Sequence, residues 1–497
     1  MTETVPLPGT SAGLATPNPR RWQILILLCL VQFMLLLDDT VVNVALPSIR
    51  ADLGFSLANL AWVVNSYVVA FGGFLLLGGR LADTLGRKRI FMVGTLVFAL
   101  GSLGNGVAQS QGMLIGSRAL QGLGGALAAP AALSMVAVLF TDPKERTRAL
   151  GLWGALTGLG GATGVVLSGV ITDLVNWRWI FFVNLPVALI PLLLLPRIAP
   201  ESRRTGTRGF DVIGAVTITS GSSILVYGLL HASDHGWGST ASVASFVAAA
   251  VLLAGFLVRE RVADDPLVPL SFFKRRGPTM ANIGQVLMAS ANFGTFFLLT
   301  LYIQQILGYS PMRAGLSYMG FFVGIFLGFG TAAPLIPRIG VRPIMTGGML
   351  FLASGMFWFA NAPMDGKYWS TIFPGFVLMA VGIAWTSFSI NIAGVNDVPE
   401  HQAGLASGLL NASQQVGGAI GLGVLITVNS SRTGHLLHGG AAPKVALLGG
   451  THLAFAVGGG LLIAGAVLTA LLIGRIKPTT LPPMVVLEDQ GDVQIAR

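Results

Sequence analysis

The sequence predicts an all-α integral membrane protein of fourteen spanning helices, arranged as two six-helix halves with two helices inserted between them. Of its 497 residues, 53% are hydrophobic and only 10% are charged, too few to keep so long a chain hydrated as a soluble protein. A spanning helix needs roughly 20 apolar residues, and such stretches recur from Trp22 to Gly474 with short polar gaps between them. Backbone groups in hydrocarbon must be satisfied within their own segment, and these runs are too long for the alternating strands of an outer-membrane barrel.

In chain order, residues 1–21 are rich in Pro, Ser and Thr and lack the basic-then-apolar pattern of a cleaved leader. They read as a cytoplasmic N-terminal tail ahead of a retained first helix. The predicted spans are 22–46, 58–78, 89–108, 112–139, 149–171, 177–196, 211–231, 240–258, 280–305, 313–336, 342–362, 369–393, 403–429 and 450–474. Residues 22–196 form the N-terminal half and 280–474 the C-terminal half. Residues 197–279 link them and carry spans 7 and 8, and 475–497 form a second cytoplasmic tail. The single cysteine, Cys29, lies inside span 1, which excludes a disulfide framework and a cysteine metal site. The net charge of +10 comes from short basic clusters between apolar runs, among them Arg87-Lys88-Arg89 and Lys274-Arg275-Arg276. Such clusters mark the side that is not translocated, so they are topology signals and no nucleic-acid surface. They place both termini in the cytoplasm, as an even helix count requires.

The division into halves comes from an internal repeat. Thr84-Leu-Gly-Arg-Lys-Arg-Ile precedes span 3, and Arg338-Ile-Gly-Val-Arg-Pro-Ile precedes span 11, an offset of 254 residues (338 − 84). Gly161-Ala-Thr-Gly164 of span 5 falls on Gly418-Ala-Ile-Gly421 of span 13 at an offset of 257 (418 − 161).

Ionisable groups inside the hydrocarbon are costly, which makes the few present here functional candidates. Asp38 and Asp39 lie in span 1 and Arg118 in span 4. Taking Pro47 as the outer end of span 1, a rise of about 1.5 Å per residue sets the aspartates roughly 12 to 14 Å deep and Arg118 roughly 9 Å deep. A carboxylate whose arginine contact changes with conformation can load and release a proton; the competing reading is a structural ion pair. Adjacent helical residues point about 100° apart, so both acids cannot face one cavity. Helical spacing favours Asp39, which shares a polar face with Gln32 and Asn43.

Gly79, Asp83, Gly86, Arg87 and Lys88 occupy the tight connection between spans 2 and 3 and form a candidate gate: Asp83 suits the start of span 3, Gly86 permits a sharp turn, and Arg87 and Lys88 offer pairing across the two halves. Gly160, Gly161, Gly164 and Gly169 give span 5 a small-residue face suited to close crossing and bending. Amides at Gln121, Gln285, Asn292, Asn411, Gln414 and Gln415, together with Gln32 and Asn43, suit a cavity that hydrogen-bonds varied ligands, or equally serve as interhelical glue. No Walker lysine follows any glycine run, and no dinucleotide fingerprint follows a strand, so the sequence offers no site for ATP or a cofactor. No cluster suited to a metal is present either.

These motifs resemble the major facilitator superfamily, and within it the fourteen-helix drug:proton antiporter family. Leu37-Asp-Asp-Thr-Val-Val-Asn-Val-Ala-Leu-Pro47 is similar to that family's first-helix motif, with Asp38 at the signature aspartate and Asp39 at a variable position. Gly79 to Arg89 resembles the superfamily's gating motif, with Thr84 where a basic residue is usual. Leu114 to Ala126 resembles the fourth-helix motif, whose arginine, here Arg118, is implicated in proton transfer. Trp177-Arg-Trp-Ile-Phe-Phe-Val-Asn-Leu-Pro186 is also typical, and Asn411 to Gly421 extends the likeness into the second half. One departure stands out: the antiporter motif of helix 5 has Gly-Pro followed by paired glycines, whereas here Val165 follows Gly164 and Ser168-Gly169 replaces the pair. Spans 10 and 13 hold no Asp or Glu, which disfavours divalent cations.

The resemblance implies a proton-coupled secondary exporter of small hydrophobic or monocationic amphipathic compounds, working by alternating access as a monomer in a bacterial inner membrane. Its expected partners are a small-molecule substrate, protons and membrane lipids. The alternatives are an exporter of lipid or cell-envelope precursors, or of an endogenous metabolite or antibiotic; more remote is a membrane enzyme or receptor.

Overall fold

The computed structural model of the chain describes residues 19–140, 142–202, 211–263, 266, 270–395, 398 and 403–472. The two expected tails fall almost wholly outside them. The described residues are helical with no strand, and the helices cross the bundle fourteen times: α1 (Arg21–Leu53), α2 (Leu57–Leu85), α3 (Arg87–Gly106), α4 (Gln111–Leu139), α5 (Pro143–Leu174), the pair α6 (Trp179–Phe182) and α7 (Asn184–Ile198), α8 (Val212–His235), α9 (Thr240–Val262), α10 (Arg276–Leu301), the pair α11 (Pro311–Ser317) and α12 (Met319–Ile339), α13 (Val341–Phe359), α14 (Phe373–Val395), α15 (Ala403–His438) and α16 (Pro443–Leu472). Ten of these crossings are long and apolar enough to traverse a membrane, and α2, bent by 48° near Leu75, makes an eleventh if taken as one span. Helices α5, α8 and α13 do not meet that test, and with them the helix order is consistent with the fourteen expected spans.

Side-chain caps start many of the helices. Ser56, Ser110, Asp142, Asp211, Ser239 and Ser310 each accept a hydrogen bond from the backbone N–H three residues on. Pro143 and Pro311 sit in the first turn, where a missing N–H does no harm. Pro47 does not end the first helix as expected. It lies inside α1, which runs on to Gly54 in a left-handed cap (φ 67°). The shared-depth estimate therefore rested on the wrong reference point, since Asp38 lies about 22 Å of helical rise from Leu53.

The repeat appears in the packing. Helix α1 lies against α5 as α10 lies against α15, and α3 lies against α4 as α13 lies against α14. The connections that carry the repeated motif turn on Gly86 (φ 114°) and Gly340 (φ 90°), positions where a side chain would be strained. The halves meet where α2 packs on α15 and α5 on α11, and α8 packs on both α2 and α15. Helix α9 packs on α8 and exposes Val243, Val247, Val251 and Val258, an apolar surface suited to lipid.

Candidate functional site

At the centre of the N-terminal half is a polar network without water access. Arg118 is 1% exposed and Asp38 is fully buried, with Arg118 Nη1 2.5 Å from Asp38 Oδ2. The same nitrogen donates to Gln121 Oε1 at 2.6 Å, and Arg118 Nε donates to the Val63 carbonyl at 2.9 Å. The guanidinium also stacks over the Tyr67 ring, 4.4 Å from its centroid. Asp38 Oδ1 accepts from Gln121 Nε2 at 2.7 Å and from Asn184 Nδ2 at 2.8 Å. Gln121 also donates to Ser102 Oγ and accepts from Asn105 Nδ2, both at 2.7 Å. One carboxylate thus takes donors from α4 and α7, while one guanidinium donates to acceptors on α1, α2 and α4. Such charge-assisted bonds in a dry interior form the arrangement in which a buried pair is tolerable.

Asp39 stands apart. The 100° step turns it away from α4, and its carboxylate makes no hydrogen bond or ion pair among the described residues. It is partly accessible, as are Gln32, Leu36 and Asn43, which fall on the same stripe of α1 at steps of three and four residues. Helices α2, α4, α5, α7, α10 and α11 pack around α1. Gln32 Oε1 is buried without a partner, and so is Asn292 Oδ1 on α10.

The other amides divide. Gln121, expected in the cavity, is instead fully buried in the ion-pair network, because one helical turn separates it from Arg118 and places its amide against Asp38. Gln285 and Gln415 are buried at 6% and 9% exposure, with Gly72 of α2 directly against Gln415. Asn292 and Gln414 are partly accessible and Asn411 is exposed.

The gating motif is arranged differently from expectation. Asp83 lies in the last turn of α2, not at the start of α3, and pairs with Arg87 at 2.8 Å. Lys88 Nζ donates to the Ala199 carbonyl at 2.9 Å. The acid at the N-terminus of α3 is Glu201, which accepts from the N–H groups of Lys88 and Arg89 at 3.0 and 3.1 Å. In these contacts Arg87 binds within its own half and Lys88 binds the start of the linker. Gly79 lies near Pro130 of α4, and Gly86 makes the turn.

The glycines of α5 act as points of close approach along the helix. A β-carbon on Gly160 would meet Leu36 at 3.1 Å, and one on Gly164 would meet Thr40 Oγ1 at 2.2 Å and the Leu37 carbonyl at 2.7 Å. Gly169 faces the Pro311 carbonyl of the other half at 2.5 Å by the same measure, while Gly161 lies on the helix outside the described side chains. Ser168, which replaces a glycine of the related motif, is buried and donates to the Val41 carbonyl. Sequence reasoning passed over Asn184, Ser102, Asn105, Tyr67 and Glu201. For the three amide and hydroxyl residues the available signal was a hydrogen-bonding group inside an apolar run.

The hydrogen bonds described between the halves lie at the end of the bundle remote from Arg21 and Arg87: Arg50 Nη1 to Gln305 Oε1 at 3.2 Å and Gln304 Nε2 to the Val44 carbonyl at 2.7 Å. The approach of Gly169 to Pro311 and of Gly315 to the Val165 carbonyl is at that end too, so this end is closed.

A sequence profile of the Major Facilitator Superfamily matches residues 28–422. The puromycin resistance protein pur8 of Streptomyces alboniger is 39% identical over 479 residues, 94% of each chain. The cephamycin export protein CmcT of Amycolatopsis lactamdurans is 37% identical over 466 residues, covering 93% of this chain and 94% of its own. The lincomycin resistance protein of Streptomyces lincolnensis is 35% identical over 425 residues, with 85% and 87% covered. Among solved structures, a POT family transporter in complex with 5-aminolevulinic acid superposes with a TM-score of 0.67 at 14% identity, over 89% of this chain and 94% of that one. A bacterial homolog of the human lysosomal transporter Spinster, in an inward-facing and unoccupied conformation, gives 0.66 at 16% identity over 92% and 97%. At these identities the structures speak for the fold alone.

Proposed function

This chain belongs to the major facilitator superfamily, and on that premise we propose that it is a proton-coupled exporter of small hydrophobic or monocationic amphipathic molecules that works by alternating access. The observation that carries the reading is the buried Asp38–Arg118 pair on α1 and α4, beside a partly accessible acid on the same helix. Charged groups held at this depth are retained when they move charge, and a proton crossing 100 mV yields about 2.3 kcal/mol to drive uphill efflux. Relatives named for puromycin resistance and cephamycin export support a drug-like substrate. The basic end, with Arg80, Arg87, Lys88 and Arg275, is the cytoplasmic one in this reading, so both termini lie inside and the closed end faces outward. The protein works as a monomer embedded in lipid.

The reading is tested in everted membrane vesicles that express the protein. Acidifying the lumen should drive accumulation of a fluorescent lipophilic monocation, and a protonophore should collapse it. Accumulation indifferent to the protonophore would defeat the coupling claim.

A further inference from the structure

We propose that Arg50 heads a binding site for a small amphipathic organic anion, of the carboxylate, sulfonate or phosphate class, on the outer face of the seam between the halves, where the bound anion holds the outer end closed and slows export. That this end is the outer one rests on the reading above; the binding site does not. The argument begins with charge. Arg50 lies partly buried in the last turn of α1. Its Nε donates to the Phe55 carbonyl at 3.3 Å and its Nη1 to Gln305 Oε1 at 3.2 Å, and both acceptors are neutral. Among the described residues no carboxylate pairs with it. The one acid close by in the chain, Asp52, is taken by Arg178 at 2.6 Å and by the Trp177 indole at 3.1 Å.

Across the seam, residues 277–312 contain no Asp, Glu, Lys or Arg, and the first charge beyond them is a further cation, Arg313, stacked 3.8 Å from the Tyr309 centroid. The α1 carbonyls at this helix end carry roughly half an elementary charge of the opposite sign, which offsets the guanidinium only in part. An uncompensated guanidinium with an open edge takes an oxyanion in a forked, charge-assisted contact. Space for one is present. A pocket of about 380 Å³ is lined by Pro47, Arg50, Ala51, Gly54, Phe55 and Gln305, which combines one cation and one amide with the apolar faces of Pro47, Ala51 and Phe55. That volume and that lining suit a small organic ion with a short apolar body. The pocket draws on α1 and its cap in one half and on Gln305 in the other, so it is complete only while the seam is shut. A ligand that binds one conformation alone shifts the equilibrium toward it, which sets an anion at this site against opening.

The experiment uses the purified full-length protein in neutral detergent and 1-hexanesulfonate, a permanent anion, as the probe at constant ionic strength. The melting temperature of wild type should rise saturably with the probe, and methanesulfonate, which lacks the apolar body, should give a smaller rise. Arg50→Gln should lose the response and Arg50→Lys should keep part of it. Gln305→Glu, which sets a built-in carboxylate against Arg50, should raise the melting temperature without the probe and remove the response to it; this variant carries the test should Arg50→Gln fail to fold. A response unchanged in Arg50→Gln or Gln305→Glu, or one as large with methanesulfonate, would overturn the site. A response to dihexanoylphosphatidylglycerol with none to hexanesulfonate would overturn it in favour of a lipid headgroup. In everted vesicles, hexanesulfonate trapped in the lumen should slow accumulation of the fluorescent monocation roughly by half at half-saturation, relative to each variant's own rate without probe, in wild type and not in Arg50→Gln. Binding in detergent without this slowing would overturn the effect on export, and slowing only by probe added outside the everted vesicles would show that the orientation, not the site, was misassigned.

Discussion

Two neighbouring aspartates receive opposite environments because the helix turns about 100° between them. Spacing pointed to Asp39 for the cavity face and the motif resemblance pointed to Asp38; each identifies a different property, one the accessible acid and the other the partner of Arg118. If Asn184 serves to hold Asp38, Asn184→Ala should leave a buried carboxylate oxygen with one donor fewer, costing about 1–3 kcal/mol and lowering the melting temperature in detergent. An unchanged melting temperature would show that water replaces the amide. Arg118→Lys keeps the charge but loses the fork that reaches Val63, Gln121 and Asp38 at once, so expression should stay near normal while proton-driven efflux falls. Full efflux in that variant would make the guanidinium geometry irrelevant. The candidates themselves were legible in the sequence because charge in an apolar run is conspicuous. Their partners were not, since Asn184 lies 146 residues from Asp38 and nothing local announces that contact.

At the level of elements, glycine placement decides which helices approach closely. Gly164 has α1 backbone within 2.7 Å of where a β-carbon would sit, whereas Gly116 on α4 has open space around that point. Gly164→Ala should therefore force α1 and α5 apart and destabilise the protein by about 1–3 kcal/mol. Gly116→Ala should stabilise it by roughly 0.5–1 kcal/mol through the lower entropy of the unfolded chain. Equal effects in a thermal unfolding assay would contradict the close-approach reading of α5. The glycine-rich face was visible in the sequence, but its use was not. A run of glycines fits a bend or a crossing equally well, and only the groups opposite, the Leu36 and Thr40 side chains and the Pro311 carbonyl, show where the helix is closely crossed. The gating loop failed in the same way: Asp83 pairs within the turn, and the acid that caps α3 arrives from beyond α7 as Glu201.

For the whole molecule, hydropathy and the repeat were enough to lay out fourteen crossings in two halves, because both signals are carried by long segments and survive errors at the ends. The conformational state has no such signal, as it depends on which contacts between halves are made at one moment. Here, while α2 packs on α15 nearer the other end, the hydrogen bonds between the halves lie at the end away from the basic loops, through Arg50 with Gln305 and Gln304 with Val44, and Gly169 meets Pro311 there. Alternating access requires them to part in every cycle, since a cavity sealed at this end gives the substrate no exit on that side. Arg50→Cys with Gln305→Cys places two thiols at that seam, while the one native thiol, Cys29, is buried. Joining the pair with a short, reducible, bifunctional thiol reagent should stop efflux, and reduction should restore it, with either single variant unaffected by the reagent. Undiminished efflux from fully cross-linked protein would mean that the halves do not separate here, and the rocking motion would have to be abandoned for a route that leaves this seam closed.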